Sequence, residues 1–464
     1  MKKIILAGVL GLSLALAACG NNSSEPSDDG ERISFDKDPY PSTYVPAPSG
    51  TLFITGATVI DGIGGKIENG SVIVTDGRIT AVGADLEAPD GATTIDASGK
   101  WVTPGIIDNH SHLGVYASPG VQAHSDGNEV TAPVTAEVWA EHGVWPQDPG
   151  FGRALAGGVT SLQVLPGSAN LFGGRGVTLK NVASRSVQGM KFPNAPYTLK
   201  MACGENPKRV YGSRGRAPGS RMGNFAGYRQ SWINAQAYKA KWEKYQEEGG
   251  TPPSRDLEMD TLAGVLNGDI LVHMHCYRAD EMVQVLDMAE EFGYKVTAFH
   301  HGVEAYKIAD YLAEADTCAA VWADWWGFKM EAYDGVRENM PLIHQAGACA
   351  ITHSDDDTGI QRLNQEASKA WGYGRKAGID ISMEEAWAWL SANPAKSLGI
   401  FEETGSLEEG KAADIVIWSA DPFSVYAKAD EVYIDGVKAY DRSTPETNQV
   451  SDFELGQPGE GDVK

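Results

Sequence analysis

The sequence predicts an α/β protein in which a TIM-like (β/α)8 barrel carries a small β-sandwich domain formed from both termini. Short β-branched and apolar runs alternate with helical stretches through the middle of the 464-residue chain. This alternation is typical of parallel sheets, of which the barrel is the closed form. Both ends instead carry strand-like runs separated by Gly and Asp-Gly turns, a pattern that indicates antiparallel strands.

These patterns divide the chain into six predicted segments. A signal peptide is followed by a flexible tether rich in Ser, Pro, Asp and Asn, then by the barrel between the two parts of the sandwich, and last by an acidic polar tail. The predicted segments are 1–18 (signal), 19–50 (lipidated tether), 51–101 (sandwich, first part), 102–402 (metal-dependent barrel), 403–441 (sandwich, second part) and 442–464 (tail).

The first 18 residues have the features of a secretory signal. Two lysines precede an apolar stretch that is too short to read as a membrane-spanning helix. The run Leu16-Ala17-Ala18-Cys19 resembles a bacterial lipobox, in which the cysteine is lipidated. We therefore expect an exported protein that is held at a bacterial membrane, on its periplasmic or cell-surface face, by the lipid on Cys19 only. An ordinary cleaved signal followed by a chance cysteine is the alternative.

Composition narrows the class of partner. The formal net charge of −24 argues against a general nucleic-acid binder, which needs a basic face. With 42% hydrophobic and 22% charged residues the chain can bury a sizeable core. We expect a small-molecule or peptide substrate as the partner, and both a monomer and a homo-oligomer stay open.

The cysteines after Cys19 include no CxxC motif, and their spacing assigns no pairs. An exported compartment permits disulfide bonds, but we expect four buried free thiols. These cysteines are Cys203, Cys276, Cys318 and Cys349.

Histidines follow three of the predicted barrel strands. The run "VTPGIIDNHSHLG" contains His110 and His112, which share a face because side chains alternate along a strand. His275 ends "DILVHMH", and His300 and His301 end "KVTAFHH". Of the last two, only one is expected to face the barrel interior.

A carboxylate follows a later apolar run. Asp355 ends "ACAITHSD", and Asp356 or Asp357 replaces it if the strand ends one or two residues later. Barrel enzymes place catalytic residues at the C-terminal ends of their strands, so these carboxylates and the histidines are expected to meet. Imidazole and carboxylate ligands suit a divalent ion such as Zn²⁺. The pattern therefore predicts a metal-dependent enzyme.

Motifs spread from about Thr51 to Asp441 resemble the amidohydrolase superfamily, most closely its imidazolonepropionase-like and Xaa-Pro-dipeptidase-like branch. They are "GATVIDG", "VTPGIIDNHSH", "GGVTSLQV", "HGVEAY", "HSDDD", "NPAKSLGI" and "GSLEEGKAADIVIW". The resemblance implies a distorted barrel with a sandwich from both ends. It also implies a metal-dependent hydrolase of C–N bonds acting on a dipeptide, an N-acyl amino acid or a cyclic amide.

The resemblance also implies the metal ligands. His110 and His112 would bind one ion, and Asp355 would ligate the same ion and act as general base. His275 and His301 would bind a second ion. Both one and two ions per chain stay open, with zinc as the expected metal.

Many family members with two ions bridge them with a carboxylated lysine on the fourth strand, and Lys200 in "YTLKMACGEN" matches that position. Burial of a charged lysine in an apolar strand is costly, and conversion to a carbamate would remove that cost. A Lys200 that points to the barrel exterior is the alternative. Glu205 is a rival ligand.

Arg278 stands where deaminase relatives carry a glutamate, three residues after the histidine that ends the fifth strand. This departure disfavours a deaminase. It also makes Arg278 a candidate for binding a substrate carboxylate through two hydrogen bonds. An arginine on the surface of a helix is the alternative.

The stretch from Asn206 to Arg229 has six basic residues and no acidic ones, a local reversal of the overall charge. It could gather an anionic substrate, or be a solvated or ion-paired loop. The basic residues are Lys208, Arg209, Arg214, Arg216, Arg221 and Arg229.

The sequence thus predicts an amidohydrolase that cleaves an amide C–N bond with metal-activated water. The alternatives are a mononuclear deaminase or cyclic-amide hydrolase of the same fold and a non-catalytic binding lipoprotein.

Overall fold

Two eight-stranded sheets organise the part of the chain that the computed structural model describes, residues 33–35 and 37–445. The predicted signal peptide, the lipidation site Cys19 and residues 446–464 of the predicted tail lie outside the described residues. From Ser34 onward the chain forms one unit. No helix in the described ranges combines the length and apolar character needed to cross a bilayer.

The strands and helices have the following bounds. The strands are β1 (Thr51–Ile60), β2 (Lys66–Thr75), β3 (Arg78–Ala84), β4 (Thr93–Asp96), β5 (Trp101–Pro104), β6 (Ile106–Ser111), β7 (Val159–Val164), β8 (Phe172–Lys180), β9 (Thr198–Ala202), β10 (Leu271–His275), β11 (Val296–His300), β12 (Cys318–Val321), β13 (Ala350–Thr352), β14 (Ile415–Trp418), β15 (Ala429–Ile434) and β16 (Val437–Asp441). The helices are α1 (Pro149–Ala156), α2 (Glu205–Gly212), α3 (Arg221–Glu248), α4 (Leu257–Asn267), α5 (Ala279–Phe292), α6 (Ala309–Glu314), α7 (Asn339–Gln345), α8 (Leu363–Lys376), α9 (Met383–Trp387) and α10 (Ala392–Ser397).

The first sheet takes strands from both ends of the described chain, in the order β16-β15-β14-β5-β1-β2-β3 with β4 beside β1. Two hairpins in it turn at Asp-Gly pairs, Asp76-Gly77 and Asp435-Gly436, whose four φ angles are all positive. Such turns match the twist of the flanking strands. Hydrogen bonds join all eight strands in one sheet where a two-sheet sandwich was expected, and Ile54, Val72 and Ile415 lie in its core.

The second sheet is a nearly closed barrel in the order β6-β7-β8-β9-β10-β11-β12-β13. Its two edges meet at a hydrogen bond of 3.0 Å, which the Asp355 N–H donates to the His110 carbonyl. The barrel departs from the all-parallel (β/α)8 arrangement at β8, which pairs antiparallel with both neighbours. Residues 165–171 alone connect β7 to β8, and a parallel crossover needs a longer connection.

Helix caps follow the local sequence. Ser382 and Glu385 form a capping box at the start of α9, with each side chain bonded to the backbone of the other residue.

The end of the predicted tether lies against the barrel. Phe35 is 5% exposed, the Thr43 N–H donates to the Gln188 carbonyl at 2.9 Å, and the Tyr44 hydroxyl donates to Asp435 at 2.6 Å. These described residues of the predicted tether therefore contact the folded part of the chain.

Two disulfide bonds, Cys203–Cys276 and Cys318–Cys349, overturn the expectation of four free thiols. Each pair joins corresponding ends of neighbouring parallel strands, β9 with β10 and β12 with β13, and the Cα atoms are 5.2 Å and 4.4 Å apart. The partners are 73 and 31 residues apart in sequence, so only strand pairing brings them together.

Candidate metal centre

The C-terminal mouth of the barrel brings His110, His112 and Asp355 together. The Nε2 atoms of the two histidines are 3.4 Å apart and lie 3.2 Å and 3.1 Å from Asp355 Oδ1. The ligand atoms of these residues all lie within 4.8 Å of one another, the arrangement that holds a metal ion. His301 approaches the other side of the carboxylate, with Nδ1 3.7 Å from Oδ2.

His110, His301 and His353 form a second group, whose ligand atoms also lie within 4.8 Å of one another. His353 was not among the predicted site residues. Both of its ring nitrogens are buried without a hydrogen-bond partner. His353 directly follows β13, so its position at the C-terminal end of a barrel strand is the signal that could have found it.

His275 borders these groups without belonging to either. Its ring lies 4.9 Å from the His301 ring, and its Nε2 accepts from the Asn206 side-chain amide at 3.3 Å. The Cys203–Cys276 disulfide ties the ends of β9 and β10 directly beside it.

Lys200 points into the barrel. Its side chain is fully buried, and Nζ lies 3.3 Å from His110 Nε2. Burial lowers the pKa of the Lys200 amine to about 7, because a buried ammonium loses its hydration. The structure therefore places this amine against a candidate ligand and not on the barrel exterior.

The two other acidic residues of the "SDDD" run do not reach the histidines. The Asp356 carboxylate accepts from the Gly359 N–H at 2.5 Å, and Asp357 is exposed. Glu205, the rival to Lys200, lies 3.5 Å from the Lys329 ammonium. Asp355 is thus the carboxylate of this run that meets the metal-type ligands.

Arg278 lies at the start of α5 and is already paired. Its guanidinium donates twice to Asp280, at 2.9 Å and 2.7 Å, and its side chain is 40% exposed. It lines an open cleft of about 710 Å³ together with Glu205, Lys208 and Glu331.

Much of the basic stretch is paired within the fold. Arg214 and Arg216 donate to backbone carbonyls, and Arg229 pairs with Glu291. Arg221 binds both Glu281 and Glu331, while Lys208 lines the cleft. These contacts favour the ion-paired reading of the stretch over a freely exposed basic surface.

Two residues of the site have a strained backbone conformation. His301 and Asp355 have φ angles of 59° and 55°, in the left-handed region that non-glycine residues seldom occupy. Each such conformation costs about 1–2 kcal/mol and is often found at functional sites. The turn at His301 directs its ring to Asp355, while His300, the last residue of β11, lies beneath and contacts His110. Both histidines of this pair are therefore inside the barrel.

A buried carboxylate, Asp108, supports the site from below and was also missed. It accepts from the backbone N–H groups of His110 (3.1 Å) and Ser354 (3.2 Å) and from the Ser354 hydroxyl. Burial raises the pKa of Asp108 to about 7, although these hydrogen bonds act in the opposite direction. Asp108 thereby joins the strand ends that carry His110 and Asp355.

The protonation states suit a cation. Burial lowers the pKa of His110, His275 and His301 well below the usual histidine value, so these rings are neutral. Burial alone would raise the pKa of Asp355, but His301 and His112 outweigh it and lower the value. Neutral imidazoles around an ionised carboxylate, with unpartnered ring nitrogens on His353, fit a divalent metal ion.

Comparisons with known proteins agree with this fold. The amidohydrolase family profile matches residues 357–440. The structure of an amidohydrolase from Thermotoga maritima superposes with a TM-score of 0.78 at 37% identity, over 84% of this chain and 100% of that one.

Two further relatives match this chain by sequence. One is a much longer protein, and the other is less similar in sequence. The amidohydrolase tasK of Hapsidospora irregularis is 32% identical over 405 residues, which are 82% of this chain but 41% of that protein. This chain therefore spans less than half the length of that relative. An imidazolonepropionase of Mesorhizobium japonicum is 24% identical over 398 residues, 78% of this chain and 90% of that protein.

Fold, site and relatives together define an enzyme, a hydrolase that acts on carbon–nitrogen bonds. The chain belongs to the amidohydrolase family, whose members typically depend on divalent metal ions, and it has imidazolonepropionase-like relatives.

Proposed function

We propose that this chain is a metal-dependent amidohydrolase that cleaves the amide C–N bond of a dipeptide, an N-acyl amino acid or a cyclic amide. The observation that carries the proposal is the approach of Asp355 Oδ1 to the Nε2 atoms of His110 and His112, at 3.2 Å and 3.1 Å. Three potential ligands, one of which is also the proposed base, are thereby gathered at one point of the barrel mouth.

His110, His112 and Asp355 would hold one divalent ion, for which zinc is proposed. His275 and His301 would hold a second ion, with a carbamate on Lys200 as the bridge. The burial of the Lys200 amine and its 3.3 Å approach to His110 support this role. When bound, the ions lower the pKa of a water molecule and polarise the substrate carbonyl.

The chain's own residues move the proton and orient the site. The Asp355 carboxylate accepts a proton from the attacking water and returns it to the leaving nitrogen. His112 is oriented by its Nδ1, which donates to the Leu165 carbonyl at 2.8 Å. Trp322 stacks on His301 at 4.6 Å between ring centroids and shields that side of the site from water.

Lys329 is the better placed cation for a substrate carboxylate. Its Nζ lies 3.1 Å from Asn206 Oδ1, and the amide of Asn206 contacts His275. The Lys329 side chain is 19% exposed, and its ion pair with Glu205 is long at 3.5 Å. Arg278, by contrast, is held by Asp280.

Lys329→Met is expected to raise KM for an N-acyl amino acid about 10–100-fold, because a hydrogen bond to a charged group contributes about 1.5–3 kcal/mol. Arg278→Met is the matched control and is expected to change KM by less than about threefold. Steady-state kinetics on the free acid and on its neutral methyl amide measure the difference. A larger increase in KM for Arg278→Met than for Lys329→Met would indicate that Arg278 binds the substrate carboxylate.

The protein is proposed to be exported and anchored to a membrane by a lipid on Cys19. The two disulfide bonds support an oxidising compartment, where such bonds form and persist. Fractionation of cells that express the full chain and the Cys19→Ser variant tests the anchor. Equal distribution of both proteins between membrane and soluble fractions would contradict it.

The function is tested by metal analysis together with a substrate panel. The metal-loaded chain is expected to hydrolyse members of a dipeptide and N-acyl amino acid panel, to lose activity on chelation and to regain it with Zn²⁺. No hydrolysis across the panel would contradict the proposed substrate class. Cyclic amides are the second candidate because the imidazolonepropionase relative aligns over 90% of its length. Ring opening without ammonia release would separate this activity from deamination.

A further inference from the structure

Three buried imidazoles connect the candidate ligand His110 to a backbone carbonyl deep in the barrel. His110 Nδ1 lies 2.8 Å from His300 Nδ1, and His300 Nε2 lies 2.8 Å from His273 Nδ1. His273 Nε2 lies 3.0 Å from the carbonyl oxygen of Ser397, at the end of α10. All three side chains are fully buried.

The carbonyl end sets the direction of every hydrogen bond in this chain. A carbonyl oxygen only accepts, so His273 Nε2 carries the hydrogen, and a neutral imidazole has only one. His273 Nδ1 therefore accepts from His300 Nε2. His300 Nδ1 in turn accepts from His110 Nδ1. The lone pair of His110 is left on Nε2, the atom that faces His112 and Asp355.

Two neighbours agree with this direction. His112 also carries its hydrogen on Nδ1, because this atom donates directly to the Leu165 carbonyl at 2.8 Å. The Lys200 amine, a donor, lies 3.3 Å from His110 Nε2, where the lone pair is placed. Among residues 33–35 and 37–445, no carboxylate forms an ion pair with His273 or His300, so neither ring has a carboxylate partner for a second proton.

We propose that His300 and His273 are positioning residues that select the tautomer of His110 in which Nε2 is free to bind a metal ion. The metal role of His110 rests on the proposed function, whereas the tautomer itself follows from the hydrogen-bond chain. The Ser397 carbonyl thus acts on the site through two rings that touch neither substrate nor metal.

The tautomer is measured directly by ¹⁵N NMR of histidine-labelled, metal-free protein. The His110 signals are identified by their loss in His110→Gln. The expected spectrum shows hydrogen on Nδ1 and none on Nε2 of His110. Hydrogen on Nε2 would overturn the proposal, and this measurement needs no variant of His300 or His273.

Zn²⁺ affinity, measured by competition with a chelating dye, provides the second readout. His300→Phe keeps a ring but removes both hydrogen bonds, and is expected to weaken Zn²⁺ binding about 10–100-fold. His300→Gln, whose amide both accepts and donates, is expected to restore much of this loss. His344→Phe is the control, because His344 is hydrogen-bonded to Trp389 and not to His110, His300 or His273.

The outcomes separate this proposal from the proposed function. Equal Zn²⁺ affinity of wild type and His300→Phe would overturn the positioning role. The wild-type chain could show the expected tautomer and bind Zn²⁺ but hydrolyse no dipeptide or N-acyl amino acid. That result would support the positioning role of His300 and His273 and contradict the proposed substrates.

Discussion

Asp355→Asn is expected to lower kcat for C–N hydrolysis about 10²–10⁴-fold, the usual contribution of a general base. Asparagine keeps the shape of the side chain and one ligand oxygen but cannot accept the proton. Asparagine also tolerates the left-handed backbone that Asp355 adopts, with φ of 55°. The fold should therefore survive the change, and the loss should fall on the chemical step.

The matched control is Asp357→Asn, an exposed position two residues away. It is expected to retain nearly full activity. Steady-state kinetics and elemental analysis are needed on both variants, so that loss of the base is distinguished from loss of metal. An Asp355→Asn enzyme that keeps its metal and works within threefold of wild type would remove Asp355 from the mechanism.

Lys200→Met is expected to reduce the metal content from about two ions per chain to about one, with a matching loss of activity. Methionine fills the buried space of the lysine with an unbranched apolar chain, so the strand should still pack. It has no amine and therefore cannot form a carbamate bridge. Elemental analysis of the purified variant after loading with Zn²⁺ measures the result.

Lys180→Met supplies the control for loss of a buried lysine. Lys180 lies in β8 and pairs with Asp435 at 2.8 Å, next to Asp414 at 3.6 Å. Its removal leaves buried carboxylates unpaired and is expected to lower stability by about 3–5 kcal/mol without changing the metal content. Two ions per chain in both variants would exclude the Lys200 bridge, and one ion in wild type would indicate a mononuclear site.

Local patterns were enough for the parts of the site that depend on strand alternation. The His-x-His spacing places His110 and His112 on one face, because every second side chain of a strand points the same way. The apolar run before Asp355 predicts a strand end, and the structure places Asp355 beside both histidines. Neither inference needs to know which strands are neighbours.

Other features depend on neighbours that are distant in sequence. The antiparallel pairing of β8 was not predicted, because strand propensity carries no information about parallel or antiparallel pairing. The disulfide partners were not predicted, since pairing of adjacent strands brings them together. Arg278 was a candidate for substrate binding, yet its pairing with Asp280 depends on the side-chain conformation that α5 allows.

The sequence by itself therefore determined the family, the barrel class and the residue types at the strand ends, because these follow from motifs and from short-range periodicity. Only the tertiary structure decided that His353 and Asp108 join the site and that His300 and His273 link His110 to the Ser397 carbonyl. The physical reason is that hydrogen bonds act over about 3 Å in space. Asp108 and Ser354, which are 246 positions apart in sequence, reach that distance only after the barrel has closed.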